Sequence, residues 1–177
     1  MLPQPLHPAV VHFPIVFAVL LPLVALAGIL IIWRGVPVKY GWIPVVAVSA
    51  ALAATSWVAV ETGEQEEDAV ERVMPEAAIH EHEERAEIFL PLSVFGLLVV
   101  SAGLLHGRPG RVMRGASLAL ALGLTYVGYQ VGHTGGALVY EYGAANAYTL
   151  GANQGGEGRD SGDGEGRAHE DENEDRP

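Results

Sequence analysis

Four long uncharged runs alternate with charged stretches, and this pattern governs the reading of the whole chain. The runs cover residues 13–33, 42–60, 88–105 and 115–134. At 1.5 Å of rise per residue each reaches roughly 25–30 Å, close to the hydrocarbon thickness of a bilayer. Backbone groups in lipid must be satisfied within their own segment, so the runs are expected to be helices. The predicted fold is all-α: a four-transmembrane-helix bundle over residues 6–143. Pro22 and Pro91 fall inside the first and third runs. Each frees a carbonyl one turn earlier, which the bundle must then satisfy.

The charges between the runs set an orientation. The first connection holds Arg34 and Lys39 and no acid, and the third holds Arg108, Arg111 and Arg114 and no acid. The second, residues 61–87, holds eleven acids against Arg72 and Arg85. Positive residues stay on the cytoplasmic side, so the acidic connection and both termini are expected outside. No charge precedes the first run, which is expected to be a retained helix rather than a cleaved leader. The expected location is the bacterial inner (cytoplasmic) membrane, as a multi-pass protein. Residues 61–87 are too long for a plain loop. The third helix is expected to start near Pro75 and to project beyond the membrane, its acidic first turns suiting the positive end of the helix dipole.

Half of the 177 residues are hydrophobic and the formal net charge is −11. Acid-rich composition gives no footprint for nucleic acid. The absence of cysteine excludes disulfides, iron–sulfur clusters, covalently attached haem and thiolate metal sites. Residues 151–177 are rich in Gly, Asp and Glu and are expected to form a disordered acidic tail. His169 lies in that tail and is given no role.

The candidate chemistry is histidine. His7, His12, His80, His82 and His133 are all expected at the outer bundle end, with Glu61 at the same level. Measured along straight helices, His12 lies roughly 33 Å from Arg34, His133 roughly 28 Å from Arg114, and His82 roughly 36 Å from His106. His7, before Pro8, is expected to cap the first helix. His106 is expected to complement the dipole of the third, and His80 to be solvated. His12, His82 and His133, from three helices, are expected to share a site. Tyr126, Gln130 and His133 share one helical face, read as facing the bundle interior. Gly128, Gly132 and Gly136 form overlapping small-residue steps that admit a neighbouring backbone or a flat ligand.

Two ligands follow. Haem b would take His12 and His133 axially, with Gly128 and Gly132 giving room for the ring. A divalent metal would take His12, His82 and His133, with Glu61 or Glu83 as ligand or supporting group. Cu(I) is disfavoured without thiolate or flanking methionine. A di-iron carboxylate centre is disfavoured because no Glu-x-x-His pair occurs.

Several stretches resemble one bacterial membrane family. They are Leu6-His7-Pro8, then Val11-His12-Phe13-Pro14-Ile15; Thr62-Gly63; His82-Glu83; and Gly132-His133-Thr134-Gly135-Gly136 with Leu138-Val139-Tyr140. The family is domain of unknown function 2231. The resemblance implies a four-helix integral membrane domain with these motifs gathered at one face, and it implies no reaction.

The leading functional reading is therefore a haem- or metal-binding electron-transfer module. Its expected partners are the lipid bilayer and a redox protein or a second copy of the chain. The alternatives are a structural or accessory membrane subunit, and a small transporter. The transporter is disfavoured because the cytoplasmic half of the spans holds almost no ionisable residue.

Overall fold

The computed structural model describes residues 6–147. The expected tail, residues 151–177, lies outside them. The described chain is all helical: α1 His7–Val10, α2 His12–Trp33, α3 Val38–Val70, α4 Glu76–Ala102 and α5 Gly107–Tyr140. The four long helices form a closed square. Neighbours α2–α3, α3–α4, α4–α5 and α5–α2 pack on one another, and α1 lies against α3 and α2.

The residues between expected spans are largely helix. The acidic connection shrinks to a turn of residues 71–75, because α3 runs on to Val70 and α4 begins at Glu76 behind Pro75. The tight basic turns at the other end follow from glycine: Gly35 and Gly107 have φ of 97° and 72°, where a side chain would strain the backbone.

Small residues line the inside. Ala18, Leu21 and Ala25 of α2 meet Trp42, Val45 and Leu52 of α3, Phe89 and Val100 of α4, and Ala121 and Leu124 of α5. Ser49, Ser56, Ser93 and Ser117 are buried among them. Their spacing of three or four residues makes one inward seam per helix. Small residues on that seam let membrane helices approach closely. At Gly28 a Cβ would lie 2.7 Å from the Gly41 carbonyl oxygen. Phe13, Leu23, Trp57, Phe95 and Leu98 are exposed and give an apolar outer surface.

Three helical stretches are long and apolar enough to cross a membrane: His7–Trp33, Val38–Asp68 and Glu76–Ala102. α5 is as long but more polar, with arginines in its first turns and Gln130 and His133 further on.

The bundle supplies the partner that Pro22 requires. Proline at that position leaves the Ala18 carbonyl without its helical donor. The Thr125 hydroxyl of α5 donates to it at 2.7 Å. Thr125→Val should orphan that carbonyl and destabilise the fold by about 1–3 kcal/mol. A lowered unfolding temperature in detergent, restored by serine, is the expected readout. An unchanged temperature would remove this bond from the account.

The C-terminal end of α4 is tied off differently from the expectation. The buried Trp42 indole donates to the Val100 carbonyl at 2.8 Å, and the Arg114 guanidinium to the Gly103 carbonyl at 2.6 Å. His106, expected to complement that dipole, is exposed at the N-cap of α5 instead.

Candidate functional site

The acidic end of the bundle gathers two histidines, but not the expected pair. His7 and His82 are half-buried, with ring centroids 6.4 Å apart and planes at 81°. His7 comes from α1 and His82 from α4, so the pair spans the bundle end.

His7 is held on every side by α3. Its Nδ1 lies 2.8 Å from the Ala59 carbonyl oxygen and 3.4 Å from Thr62 Oγ1. A carbonyl can only accept, so Nδ1 carries the proton and Nε2 keeps its lone pair. Its backbone N–H and that of Leu6 both donate to Oε1 of Glu66, which is buried. Glu66 therefore caps α1. The expectation that the His7 side chain does the capping is corrected, since no side chain caps α1 from its own N-cap position.

His82 is held by α5. Its Nδ1 lies 3.1 Å from Thr134 Oγ1, and that hydroxyl is within bonding distance of the Val131 and Gln130 carbonyls at 3.0 and 3.2 Å. Glycine makes room for both rings. A Cβ on Gly63 would lie 3.1 Å from His7 Cε1, and one on Gly135 3.0 Å from His82 Cε1.

The remaining predicted site residues fall elsewhere. His12 and His133 are exposed on the outside of the bundle, the latter 6.1 Å from the Tyr129 ring. Tyr126 is 64% exposed, so the polar stripe read as interior faces outward. The inward face of α5 instead runs through Ser117, Ala121, Leu124, Gly128 and Thr134. The physical reason is size: a close-packed seam admits small residues and turns the tyrosines out. The slot expected at Gly128 and Gly132 is filled. A Cβ on Gly128 would meet the Phe89 ring at 3.3 Å, and one on Gly132 the Ile15 side chain at 3.7 Å. Glu61 is exposed and accepts from Gln65, while Glu83 is half-buried beside Glu67. Among the described residues no group of three or more His, Cys, Asp or Glu is arranged to hold a metal. The expected three-nitrogen set of His12, His82 and His133 is therefore not assembled.

The motif positions now have structural roles: His7, Thr62, Gly63, His82, Thr134 and Gly135 form one site. The profile of the family described as predicted membrane protein (DUF2231) matches residues 3–148. The chain belongs to that family. No curated protein and no solved structure matches it. In this DUF2231 member the family-like stretches bring His7, Thr62-Gly63, His82 and Thr134-Gly135 together around the two imidazoles, while His12 and His133 from the same stretches stay exposed.

Sequence reasoning missed Glu66, named Thr62-Gly63 and Thr134-Gly135 only within the resemblance, and gave His7 a capping role. A usable signal existed for Glu66. It continues the inward seam of α3 through Ser49, Leu52, Ser56, Ala59 and Thr62 at steps of three or four.

Proposed function

We propose that this membrane protein is an electron-transfer module in which His7 and His82 would together hold a haem or a metal ion. The observation that carries the reading is the 6.4 Å between ring centroids. Metal–nitrogen bonds of about 2.0–2.1 Å, extended by the half-width of each ring, put two trans imidazoles on one metal roughly 6 Å apart. A tetrahedral pair would sit closer. The Nδ1 atoms are engaged by oxygen atoms of α3 and α5, as is usual for metal-bound histidines, so Nε2 is the nitrogen left to each ring.

Zinc sites use three or four protein ligands, whereas haem iron needs two axial ones. That makes haem b the favoured form of the centre, with a divalent ion such as Cu(II) second. A haem held by His7 and His82 would supply one-electron transfer. The room for a porphyrin cannot be the glycine face of α5, which Phe89 and Ile15 occupy. The accessory-subunit reading draws on one observation: Glu66 and His7 fasten α1 to α3, which serves packing as well as ligation.

The orientation belongs to the same proposal. α5 forms the fourth span, the basic turns face the cytoplasm, and both termini and the paired imidazoles face outward in the bacterial inner membrane. In this cysteine-free chain, single cysteines at positions 71 and 39 should react with an impermeant reagent at 71 only. Reaction at 39 alone would invert the topology.

The test of the centre is loading. Purified protein given haem should take up one equivalent and show a reduced absorption band. Given Cu(II) instead, it should bind one ion per chain. Uptake of neither would leave the accessory-subunit account standing and remove this one.

A further inference from the structure

The two imidazoles are held by two helical hairpins in the same manner. His7 Nδ1 meets the hydroxyl of Thr62, 55 residues on, and His82 Nδ1 meets that of Thr134, 52 residues on. Each hydroxyl also reaches the carbonyls three and four residues earlier in its own helix: Ala59 and Val58 for Thr62, Val131 and Gln130 for Thr134. The carbonyl three residues before each threonine is also in reach of the corresponding ring, Ala59 for His7 and Val131 for His82. Each threonine is followed by a glycine, Gly63 or Gly135, against which the Cε1 edge of its histidine lies.

Other parts of the architecture repeat with them. Each histidine stands at the start of a hairpin, α1/α2–α3 or α4–α5, whose first long helix carries an interior proline, Pro22 or Pro91. Each hairpin reverses at a basic turn with a positive-φ glycine, Gly35 or Gly107. The contacts between hairpins are α2–α5 and α3–α4, which exchange with each other when the two hairpins are interchanged.

We propose that Thr62–Gly63 and Thr134–Gly135 are two copies of one imidazole holder, related by a twofold axis along the bundle that passes between His7 and His82. Two equivalent groups only 6.4 Å apart must lie close to the axis that relates them. Both threonine hydroxyls donate to helix carbonyls and so accept from the rings, which carry hydrogen on Nδ1 and offer Nε2. The ligand that would suit such a pair offers two equivalent positions, as a single metal ion would. The inference deepens the two-imidazole reading and rests on it only for the ligand. Threonine and glycine here are positioning residues: the hydroxyl, joined at His7 by the Ala59 carbonyl, sets the tautomer, and the missing Cβ sets the ring's place.

Nitrogen-15 NMR of the metal-free protein, labelled at histidine, tests this without any ligand. The expected result is that His7 and His82 share the Nδ1–H tautomer. Gly63→Ala should shift the His7 ring resonances alone, and Gly135→Ala those of His82 alone, to comparable extents and with helix content unchanged. Thr134→Val should release His82 from the single tautomer, and Thr134→Ser should restore it. In the haem- or Cu(II)-loaded protein the two glycine variants should weaken binding by factors within about threefold of each other, each of the order of tenfold as for groups that support metal ligands. Opposite tautomers in the wild-type protein would overturn the equivalence, as would a response to one glycine variant only. If the tautomers match and respond as expected while neither haem nor Cu(II) binds, the holder stands and the metal reading falls.

Discussion

If His7 and His82 hold a haem or metal ion as proposed, His7→Ala and His82→Ala should each abolish haem or Cu(II) binding, whereas His12→Ala and His133→Ala should leave it unchanged. Supporting groups around metal ligands cost 10–100-fold in affinity when removed. Loss of a ligand from a site with two protein donors should cost more than about 100-fold by the same comparison. His12 and His133 are exposed on the outside of the bundle, so their removal should leave the pair's ligand untouched. The measurement is haem or Cu(II) affinity across the four variants, each checked for helix content. Equal losses in all four would mean that the ligand sits among all the histidines and that the buried pair has no privilege. A single loss at His133 would restore the expectation that the face of α5 carrying Tyr126, Gln130 and His133 bears the ligand.

Glu66→Ala is the second large effect. Oε1 of this buried residue accepts both the Leu6 and His7 backbone N–H groups. Hydrogen bonds to a charged partner contribute about 1.5–3 kcal/mol each, and the two donors would be left without a capping acceptor. The start of the chain should detach from α3, taking His7 with it. The expected outcome is a lower unfolding temperature together with a loss of ligand affinity of about tenfold or more, the cost of losing an outer support. Glu66→Gln keeps one acceptor oxygen and should fall between. Glu64→Ala, an exposed acid nearby in α3, serves as the control and should change neither. If Glu66→Ala behaves like that control, α1 is held by something other than its cap.

Much of the fold was legible in the sequence because a bilayer leaves few options. Uncharged runs of the right length had to be helices, and Pro75 marked the start of α4. The demand that Pro22 places on its neighbours is met by Thr125. The helix faces were harder. Reading His133 with Gln130 and Tyr126 as an inward polar stripe assumed that polarity decides which face turns in. In α5 size decided it, and His133 sits one residue, or about 100° of helix, away from the buried Thr134.

The site was legible only in outline. Five histidines were expected at one end, and two of them form the pair. His7 looked like a cap because it precedes Pro8, yet its own backbone N–H is the group being capped. Glu66 was hidden by its surroundings, since one acid among eleven carries no compositional mark. Only its register on the seam of α3 sets it apart. The repeated Thr-Gly pair was visible at 62–63 and 134–135, but its meaning needed both rings beside it.

Pulsed electron paramagnetic resonance on the loaded protein, which counts imidazoles through their remote nitrogens, tests the central claim most directly. With Cu(II) or ferric haem bound, two imidazoles should be counted in the wild-type protein and one in any residual complex of His7→Ala or His82→Ala. The count should stay at two in His133→Ala. A wild-type count of none, or a count that falls in His12→Ala or His133→Ala but not in the buried pair, would contradict it.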